Sequence, residues 1–532
     1  MKKLLTCALA LLLVAGIFGA CTSSGGNSSP STSAPVAQSS ASSENQAASE
    51  APSDAPAATS GQNAPEAELT TLSVVMMSAD KPDKDLVVAD VNKILGEKLN
   101  INIDLTFISY GNYVQQTTLM LSSGEGVDVL PVYMTPLNTV ANNGQIIPLD
   151  DLLAEYGQGI PDAIGQHYLE CGRVGEDLYG ITTGRDLAKA YGFLMGKEMA
   201  DRNNIDYDSI KDLDALEEAL RVIKANEPDL IPVVVYNGEI FRNWGWDSLG
   251  DDMINLGVLM DYGQDLTVTN LYETEFYRDL VIRMRRWYQD GLIMQDALNN
   301  TETGGQMIKA DKGFGSFSNL KPGYNEQETR NNGVEIVTSW ILPAYACTSD
   351  VQMATWAISN GSKHPEASMK LLNEMYTNPE ISNLLIYGQE GPHYVVAGEA
   401  NTDQHMIAYP EGIDATNTGY RPSGWLWPNQ TIGDVWEGNP PDYWQQQTEF
   451  NNTALRSKAF GFTYDSARVK NQVTACTNVV SKYHQALLCG TLDPETTLPV
   501  FIQELKDAGV DDIVAEKQRQ IDEWAAANGI EK

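Results

Sequence analysis

The chain has 532 residues, which at roughly 150 residues per domain predicts several structural units. Its 71 acidic and 35 basic side chains give a formal net charge of −36 at pH 7, which disfavours nucleic acid and anionic membrane surfaces as partners. Ten tryptophans and 23 tyrosines include candidates for aromatic faces that hold sugars, although most such rings serve in cores.

The N-terminus has the pattern of an export signal. Two lysines precede an apolar run over residues 4–18, which is typical of a signal peptide and short for a membrane span. The small residues before Cys21 resemble a bacterial lipobox, although Phe18 departs from that pattern. We therefore expect residues 1–20 to be removed and Cys21 to be lipidated. The alternative is an ordinary signal peptide cleaved near Ala20, with Cys21 incidental.

Residues 21–68 form a low-complexity segment of Ser, Ala, Gly, Pro, Asn and Gln without Lys or Arg. Such a composition does not bury enough apolar surface to offset the entropy of ordering, so it predicts a disordered tether. Signal, lipid site, tether and globular body together predict a protein anchored to the outer face of the cell membrane.

Four cysteines remain in the body: Cys171, Cys347, Cys476 and Cys489. They are far apart and lack C-x-x-C spacing, and they allow three disulfide pairings. A large core does not need disulfides, so we expect buried free thiols.

The start of the body alternates strands and helices. The pattern predicts strands over 69–77, 102–107 and 127–132, and helices over 83–99 and 110–121. This β-α-β-α-β order favours a parallel sheet with right-handed crossovers. Gly124 is expected to end the second helix. Ligands bind beyond the carboxyl ends of strands in open α/β sheets, which places Tyr133 at a predicted crevice.

A second unit begins near residue 191 and closes with helices. The predicted helices lie over 209–225, 273–288 and 365–376, and the predicted strands over 230–236, 307–317, 336–343 and 353–359. Three final helices are predicted over 469–488, 498–508 and 512–527. Gly509 is expected to cap the second of these. The order indicates two α/β units followed by a mainly helical end.

Motifs for chemistry are missing from the sequence. It contains no P-loop, no H-E-x-x-H zinc motif and no G-x-S-x-G nucleophile elbow. The acidic group Asp247, Asp251 and Asp252 lacks the spacing of an EF-hand, so a solvated loop is favoured over a calcium site. We therefore predict no catalytic residue, metal or cofactor. Carboxylate pairs of a glycoside hydrolase stay open, because sequence spacing does not give their distance.

Aromatic residues near predicted strand ends are the positive signal. Aromatic faces pack on the C–H face of a pyranose while Asp, Asn and Arg bind its hydroxyls, and this mixture suits a neutral polar ligand. Arg185 and Asp186 follow a predicted strand over 177–182. The candidate ligand-binding residues are Tyr110, Tyr133, Arg185, Asp186, Trp244, Trp246, Phe317, Trp340 and Trp425.

Several segments in their order resemble one known family. They include the stretch 121–133, DLYGIT at 177–182, the run 270–298, the stretch 357–396, and 460–501 with the ending AEKQRQIDEW. With the lipobox-like Cys21, they resemble the extracellular solute-binding lipoproteins of bacterial ABC importers. The C-terminal part resembles the domain of a lipoprotein subgroup that binds sugars, oligosaccharides or aldouronates.

The resemblance implies a two-lobed α/β fold of the periplasmic-binding-protein type II, with two or three hinge crossovers and a helical C-terminal extension. By analogy, lobe 1 is expected at 69–185 plus 309–350, and lobe 2 at 186–308 plus 351–532. The lobes would close on ligand by hinge motion.

The function implied is capture of a sugar or oligosaccharide for an ABC permease, whose ATPase is a separate chain. A monomer that is not an enzyme is expected. The rival hypotheses are a surface glycoside hydrolase and a receptor for peptides or amino acids.

Overall fold

The computed structural model describes residues 69–124, 126–241, 244–250, 254–400 and 404–531. The predicted signal peptide, tether and lipidation site lie outside them. Within the described ranges, none of the helices combines the length and apolar character that a bilayer crossing requires.

The first part of the body follows the predicted alternation. Its elements are β1 (Thr70–Met77), α1 (Lys84–Leu99), β2 (Ile101–Ile108), α2 (Tyr113–Ser123), β3 (Val129–Tyr133), α3 (Leu137–Asn142), α4 (Asp150–Tyr156), α5 (Ile160–Ile164), α6 (Gln166–Leu169), β4 (Arg173–Val174), β5 (Asp177–Leu178) and β6 (Ile181–Thr182). Helix α2 ends where Gly124 adopts a left-handed φ of 67°, as predicted, because glycine takes that conformation without a Cβ clash.

The middle of the chain builds a second sheet and its flanking helices. Its elements are β7 (Lys189–Gly196), α7 (Lys197–Arg202), α8 (Leu213–Asn226), β8 (Ile231–Val233), β9 (Val258–Leu259), β10 (Val268–Thr269), α9 (Glu275–Gln289), α10 (Gly304–Lys309), β11 (Gly313–Leu320), α11 (Tyr324–Asn332) and β12 (Ile336–Ala346).

The last part returns to the first sheet and ends in helices. Its elements are α12 (Thr348–Gln352), β13 (Ala354–Ile358), α13 (Pro365–Thr377), α14 (Pro379–Tyr387), β14 (Val395–Glu399), β15 (His405–Ala408), β16 (Val435–Trp436), α15 (Tyr443–Thr453), β17 (Leu455–Arg456), α16 (Lys470–Leu488), α17 (Pro494–Ala508) and α18 (Val510–Asn528). Gly509 caps α17 with a left-handed φ of 96°, as predicted.

Two five-stranded sheets define the two lobes. The first has the order β2-β1-β3-β13-β6, in which β1 runs parallel to β2 and β3 while β13 is antiparallel to β3 and β6. The second has the order β17-β12-β7-β11-β8, with β7 antiparallel to both neighbours. The two-lobed α/β fold expected from the sequence is therefore confirmed.

Each sheet carries its own hydrophobic core. Val74, Val129 and Trp356 belong to the core of the first lobe. Trp287 and Phe501 belong to that of the second, so the C-terminal helices complete the second lobe. The cysteines Cys171, Cys347, Cys476 and Cys489 are free and buried, as predicted.

The strand pairing differs from the predicted division of the chain for two segments. Segment 309–350 was expected in lobe 1, but β11 and β12 pair with β7 in the second sheet. Segment 351–532 was expected in lobe 2, but its first part belongs to lobe 1, where β13 pairs with β3. Strand β17 and the last three helices do belong to lobe 2. The order of elements in the sequence does not reveal which strands pair. The lobe boundaries assigned by analogy with the family therefore fell at the wrong passages between the lobes.

The chain passes between the sheets three times, at 183–188, 347–353 and 437–454. This agrees with the expected two or three crossovers. The arrangement brings the first two passages side by side, because β6 and β13 are neighbours in one sheet while β7 and β12 are neighbours in the other.

Candidate functional site

A cavity of about 730 Å³ lies between the two lobes, beside the crossovers. Strand β11 and helix α11 line it from the second lobe, whereas Tyr387 and the segment 421–425 line it from the first. The crossover residues 185–189 form part of its wall. Its size falls within the range of roughly 300–1,000 Å³ that is usual for small-molecule sites.

Ion pairs hold the first two crossovers together at the cavity wall. The buried Arg185 approaches the Asp186 carboxylate at 3.7 Å and donates from Nη2 to the Asp350 carbonyl at 2.7 Å. Lys321 lies 3.3 Å from the Asp186 carboxylate, and Lys189 pairs with that of Asp350. Burial alone would raise the pKa of Asp186, but the charges of Lys321 and Arg185 outweigh it and lower that pKa. Both wall carboxylates are therefore already paired within the protein.

The third crossover is tied to the first by one buried amide, that of Asn451 on α15. Its Nδ2 donates to the Arg185 carbonyl at 2.7 Å. Its Oδ1 accepts from the backbone N–H groups of Leu187 at 2.9 Å and Ala188 at 3.1 Å. These bonds satisfy backbone groups that would otherwise be buried without partners, and they fix the path of the crossover.

Three of the predicted site residues meet around one indole ring. The Arg185 guanidinium carbon lies 5.8 Å from the centroid of the Trp425 ring. Tyr133, at the end of β3, meets the same ring edge to face at 5.3 Å. Trp425 and Arg185 line the cavity together with Asp186. The predicted residues Tyr133, Arg185, Asp186 and Trp425 therefore lie close together, with Tyr133 behind Trp425 and outside the cavity wall.

Six further aromatic residues line the cavity that sequence reasoning did not select: Tyr324, Tyr387, Tyr409, Trp436, Tyr443 and Trp444. The rings of Tyr409 and Trp436 are 4.5 Å apart, and those of Tyr387 and Trp436 are 5.7 Å apart. The segment 409–444 combines aromatic residues with Gly and Pro and has little regular structure. That composition was the available signal, since binding residues favour loops on a rigid scaffold.

Three cations of the wall have no ion pair among the described residues: Lys81, Arg330 and Arg421. Arg330 donates to the Glu437 carbonyl at 3.4 Å, and Arg421 to the Ala415 carbonyl at 3.5 Å. Burial lowers the pKa of Lys81 and that of Arg330, and the charge of Arg421 lowers both further. The wall thus contains like charges that repel one another.

Three predicted site residues lie in the second lobe away from the cavity wall. Trp244 and Phe317 meet at 5.6 Å within an aromatic cluster of the core. Trp246 is buried, and its Nε1 donates to the Asn255 side chain at 2.9 Å. Neighbouring side chains on a strand point to opposite faces, so Ser318 on β11 lines the cavity while Phe317 packs on the core.

Trp340 and Tyr110 also lie outside the wall. Trp340 on β12 packs edge to face on Phe450 at 6.0 Å. Tyr110 is 60% exposed in a short turn after β2. Trp340 and Tyr110 were selected because they lie near predicted strand ends or loops. A position near a strand end does not show whether that edge of the lobe faces the opposite lobe.

Metal ligation has no candidate in the described part of the chain, where no three His, Cys, Asp or Glu side chains are grouped to hold an ion. What the site offers is an aromatic wall, hydrogen-bonding groups and cations between two hinged lobes.

A model of the family described as bacterial extracellular solute-binding protein matches residues 83–380, more than half of the chain. The chain belongs to this family. A second model, described as a domain of unknown function (DUF3502), matches residues 458–526, which cover most of the last three helices of this solute-binding protein.

Individual proteins are similar over most of the length of this solute-binding protein. A carbohydrate ABC transporter substrate-binding protein of Streptococcus pneumoniae serotype 4 is 27% identical over 463 residues, which cover 84% of this chain and 89% of the relative. The crystal structure of the N-glycan transport solute-binding protein from Streptococcus pneumoniae is 23% identical, with a TM-score of 0.78, and the match covers 85% and 98% of the two chains. The same protein in complex with Man1GlcNAc matches with 24% identity, a TM-score of 0.72 and coverage of 85% and 99%.

Proposed function

We propose that this extracellular solute-binding protein captures a sugar or oligosaccharide in the interlobe cavity and delivers it to the permease of an ABC importer. The observation that carries the proposal is the aromatic wall around Trp425, Tyr409 and Trp436, set beside polar and charged side chains between two lobes. Aromatic faces cover the apolar face of a sugar ring, and neighbouring polar groups accept and donate hydrogen bonds to its hydroxyls. The names of the similar proteins, which concern carbohydrate and N-glycan transport, support the same class of ligand.

Capture works through the two lobes. A ligand that touches Trp425 on the first lobe and Tyr324 or Ser318 on the second makes all its contacts only when the lobes are together. It therefore binds the closed state better and shifts the population toward it. The three crossovers allow this hinge motion. A separate permease recognises the closed surface, and a separate ATPase drives transport.

Catalysis forms no part of the proposal. A glycoside hydrolase needs one carboxyl group that stays protonated near neutral pH and a second one across the scissile bond. Among the described residues, the carboxyl groups of the cavity wall are those of Asp186 and Asp350, and both are ion-paired. The lowered pKa of Asp186 is opposite to what a general acid requires. The ligand is expected to leave unaltered.

Isothermal titration calorimetry against a panel of oligosaccharides, peptides and amino acids tests the proposal. We expect saturable binding of at least one oligosaccharide and none of peptides or amino acids. Mass spectrometry of the recovered ligand should show it unchanged. Tight binding of peptides alone, or release of shorter sugars during incubation, would refute the proposal.

The proposal includes a lipid anchor on Cys21, with residues 1–20 as the signal peptide and 21–68 as the tether, and a monomeric body. The lipobox-like sequence and the composition of the tether support it. Mass spectrometry of the mature N-terminal peptide should find a lipid on Cys21. The Cys21→Ala variant should appear in the culture medium, and retention of this variant in the membrane would argue against the anchor.

A further inference from the structure

The charge of the cavity wall is opposite to that of the whole chain. Six lysine and arginine side chains line the cavity against two aspartates, a surplus of four positive charges on a protein of net charge −36: Lys81, Arg185, Lys189, Lys321, Arg330 and Arg421, against Asp186 and Asp350. A neutral sugar needs hydrogen-bond partners but no such surplus.

Half of these cations have a structural explanation. Asp186 pairs with Arg185 and Lys321, and Asp350 pairs with Lys189, at the crossovers. The Lys321–Asp186 pair ties the end of β11 to the first crossover, and the Lys189–Asp350 pair ties β7 to the second. The carboxylates of Asp186 and Asp350 are therefore already paired and do not neutralise the other cations of the wall.

The other three cations, Lys81, Arg330 and Arg421, have no such structural explanation. Among the described residues, no carboxylate forms an ion pair with Lys81, Arg330 or Arg421. The nearby Glu437 contacts Arg330 through its carbonyl oxygen. The carboxylate of Asp414 accepts hydrogen bonds from Thr416 and Asn417 in its own loop.

These three cations come from both lobes. Lys81 follows β1, and Arg421 adjoins Tyr420, a member of the first core. Arg330 lies on α11 of the second lobe. Arg421 and Lys81 thus line the cavity from the first lobe, and Arg330 lines it from the second. Closing the lobes therefore brings like charges toward one another, and an anion bound between them would offset that repulsion.

The aromatic wall surrounds the same place. Tyr387, Tyr409 and Tyr443 line the cavity together with Arg330. A sugar ring stacked on this wall would hold a substituent beside the guanidinium groups. Guanidinium groups bind carboxylate and sulfate oxygens through paired, charge-assisted hydrogen bonds.

We propose that the ligand is an acidic glycan whose carboxylate or sulfate group binds between Arg330 of the second lobe and Arg421 and Lys81 of the first. This anion removes the repulsion across the cavity and thereby couples capture to closure. The inference rests on the proposed function, since it assigns the charge of the glycan and the residues that read it.

Matched glycans test the inference by calorimetry. The panel contains tetrasaccharides of glucose, mannose and galactose, each in a neutral form, a form oxidised at C6 to a carboxylate, and a form carrying a sulfate ester. We expect an anionic form to bind about ten-fold or more tighter than its neutral counterpart, because charge-assisted hydrogen bonds are roughly twice as strong as neutral ones. The carboxylated and sulfated arms tell the two anions apart. The preference should shrink when NaCl is raised from about 50 mM to about 500 mM.

Variants identify the residues that bind the anionic group of the glycan. Arg330→Gln and Arg421→Gln should each reduce the preference for the anionic form by about ten-fold, the factor that corresponds to roughly 1.4 kcal/mol. Arg468→Gln is the matched control, since Arg468 is largely exposed near the C-terminal helices and outside the wall. Small-angle scattering should show compaction of the native protein with the anionic glycan. Arg330→Gln should show part of this compaction without ligand.

The outcomes separate the two proposals. Equal affinity for neutral and anionic forms would overturn the acidic ligand while leaving carbohydrate capture intact. Full preference in both arginine variants would overturn the assigned residues. Binding of no glycan at all would overturn the proposed function, and the acidic ligand with it.

Discussion

The guanidinium carbon of Arg185 lies 5.8 Å from the centroid of the Trp425 ring, so a crossover residue supports an aromatic side chain of the cavity wall. Arg185 is buried and also donates to the Asp350 carbonyl on the second crossover. The ring of Trp425 is thereby held against the hinge region rather than on a free loop. A ligand that stacks on Trp425 therefore contacts a ring that is packed against a crossover, and the crossovers are the segments that move when the lobes close.

Trp425→Ala should weaken binding of the oligosaccharide by about ten-fold or more, because stacking on a fixed aromatic ring contributes roughly 1–2 kcal/mol beyond simple burial. Calorimetry with the best ligand of the panel measures this. Tyr236→Ala is the control, since Tyr236 is 45% exposed and lies outside the cavity wall. Unchanged affinity in Trp425→Ala would contradict a role for this ring in binding.

Asn451→Ala should destabilise the protein by roughly 2–5 kcal/mol, because the backbone N–H groups of Leu187 and Ala188 would lose their buried acceptor. Urea unfolding followed by circular dichroism measures the change in the free energy of unfolding. The exposed neighbour Asn452 supplies the matched variant, Asn452→Ala, which should shift that energy by less than about 0.5 kcal/mol. If the two variants had similar free energies of unfolding, the hydrogen bonds of Asn451 to the crossover would not stabilise the protein as proposed.

His484 makes stability depend on pH. Burial lowers the pKa of His484 from 6.5 to about 4, and its Nδ1 is 2.9 Å from the Tyr277 hydroxyl. Between pH 6.5 and about 4, His484 therefore binds a proton in the unfolded chain but not in the folded protein. Stability contributed by the neutral ring is present above pH 6.5 and is lost as the pH falls toward 4, by up to roughly 3 kcal/mol.

The measurement is chemical unfolding at pH values from about 7 to about 4. The His484→Gln variant should lose less stability over this range than the native protein. His364→Gln, at an exposed position before α13, serves as the control and should follow the native profile. Identical profiles for native protein and His484→Gln would rule out this histidine as the source.

Thiol labelling tests the buried cysteines. Cys171, Cys347, Cys476 and Cys489 are buried, and burial raises the pKa of the Cys489 thiol to about 12 and that of the Cys476 thiol to about 11. The Cys21→Ala protein without residues 1–20 should therefore react slowly with an aromatic disulfide reagent while it is folded. In denaturant all four thiols should react at once. A smaller yield in denaturant without reductant would reveal a disulfide.

Local signals in the sequence predicted the first five elements of the first lobe, β1 to β3 with α1 and α2. Alternation of apolar residues located β1 and β2 within one residue at each end, and Gly124 marked the end of α2. These features depend on φ/ψ preferences and on periodicity, which neighbouring residues decide among themselves. The resemblance to solute-binding proteins added the two lobes and the crossovers.

The composition of the site was predictable only in part. Arg185, Asp186, Tyr133 and Trp425 converge because strand ends and crossovers meet at one edge of the sheet. Trp244, Trp246 and Phe317 were equally attractive in the sequence, but their rings face the second core. Which face of a strand is buried depends on the partner that packs against it, and that partner is distant in the chain.

By itself, the sequence predicted the order of most strands and helices and the two α/β units. These follow from composition and from contacts between residues close in the chain. Tertiary structure alone decided that β11 and β12 join the second sheet and β13 the first, and that Lys81, Arg330 and Arg421 face one cavity. Such placements depend on hydrogen bonds and charges between residues hundreds of positions apart, about which local sequence carries no information.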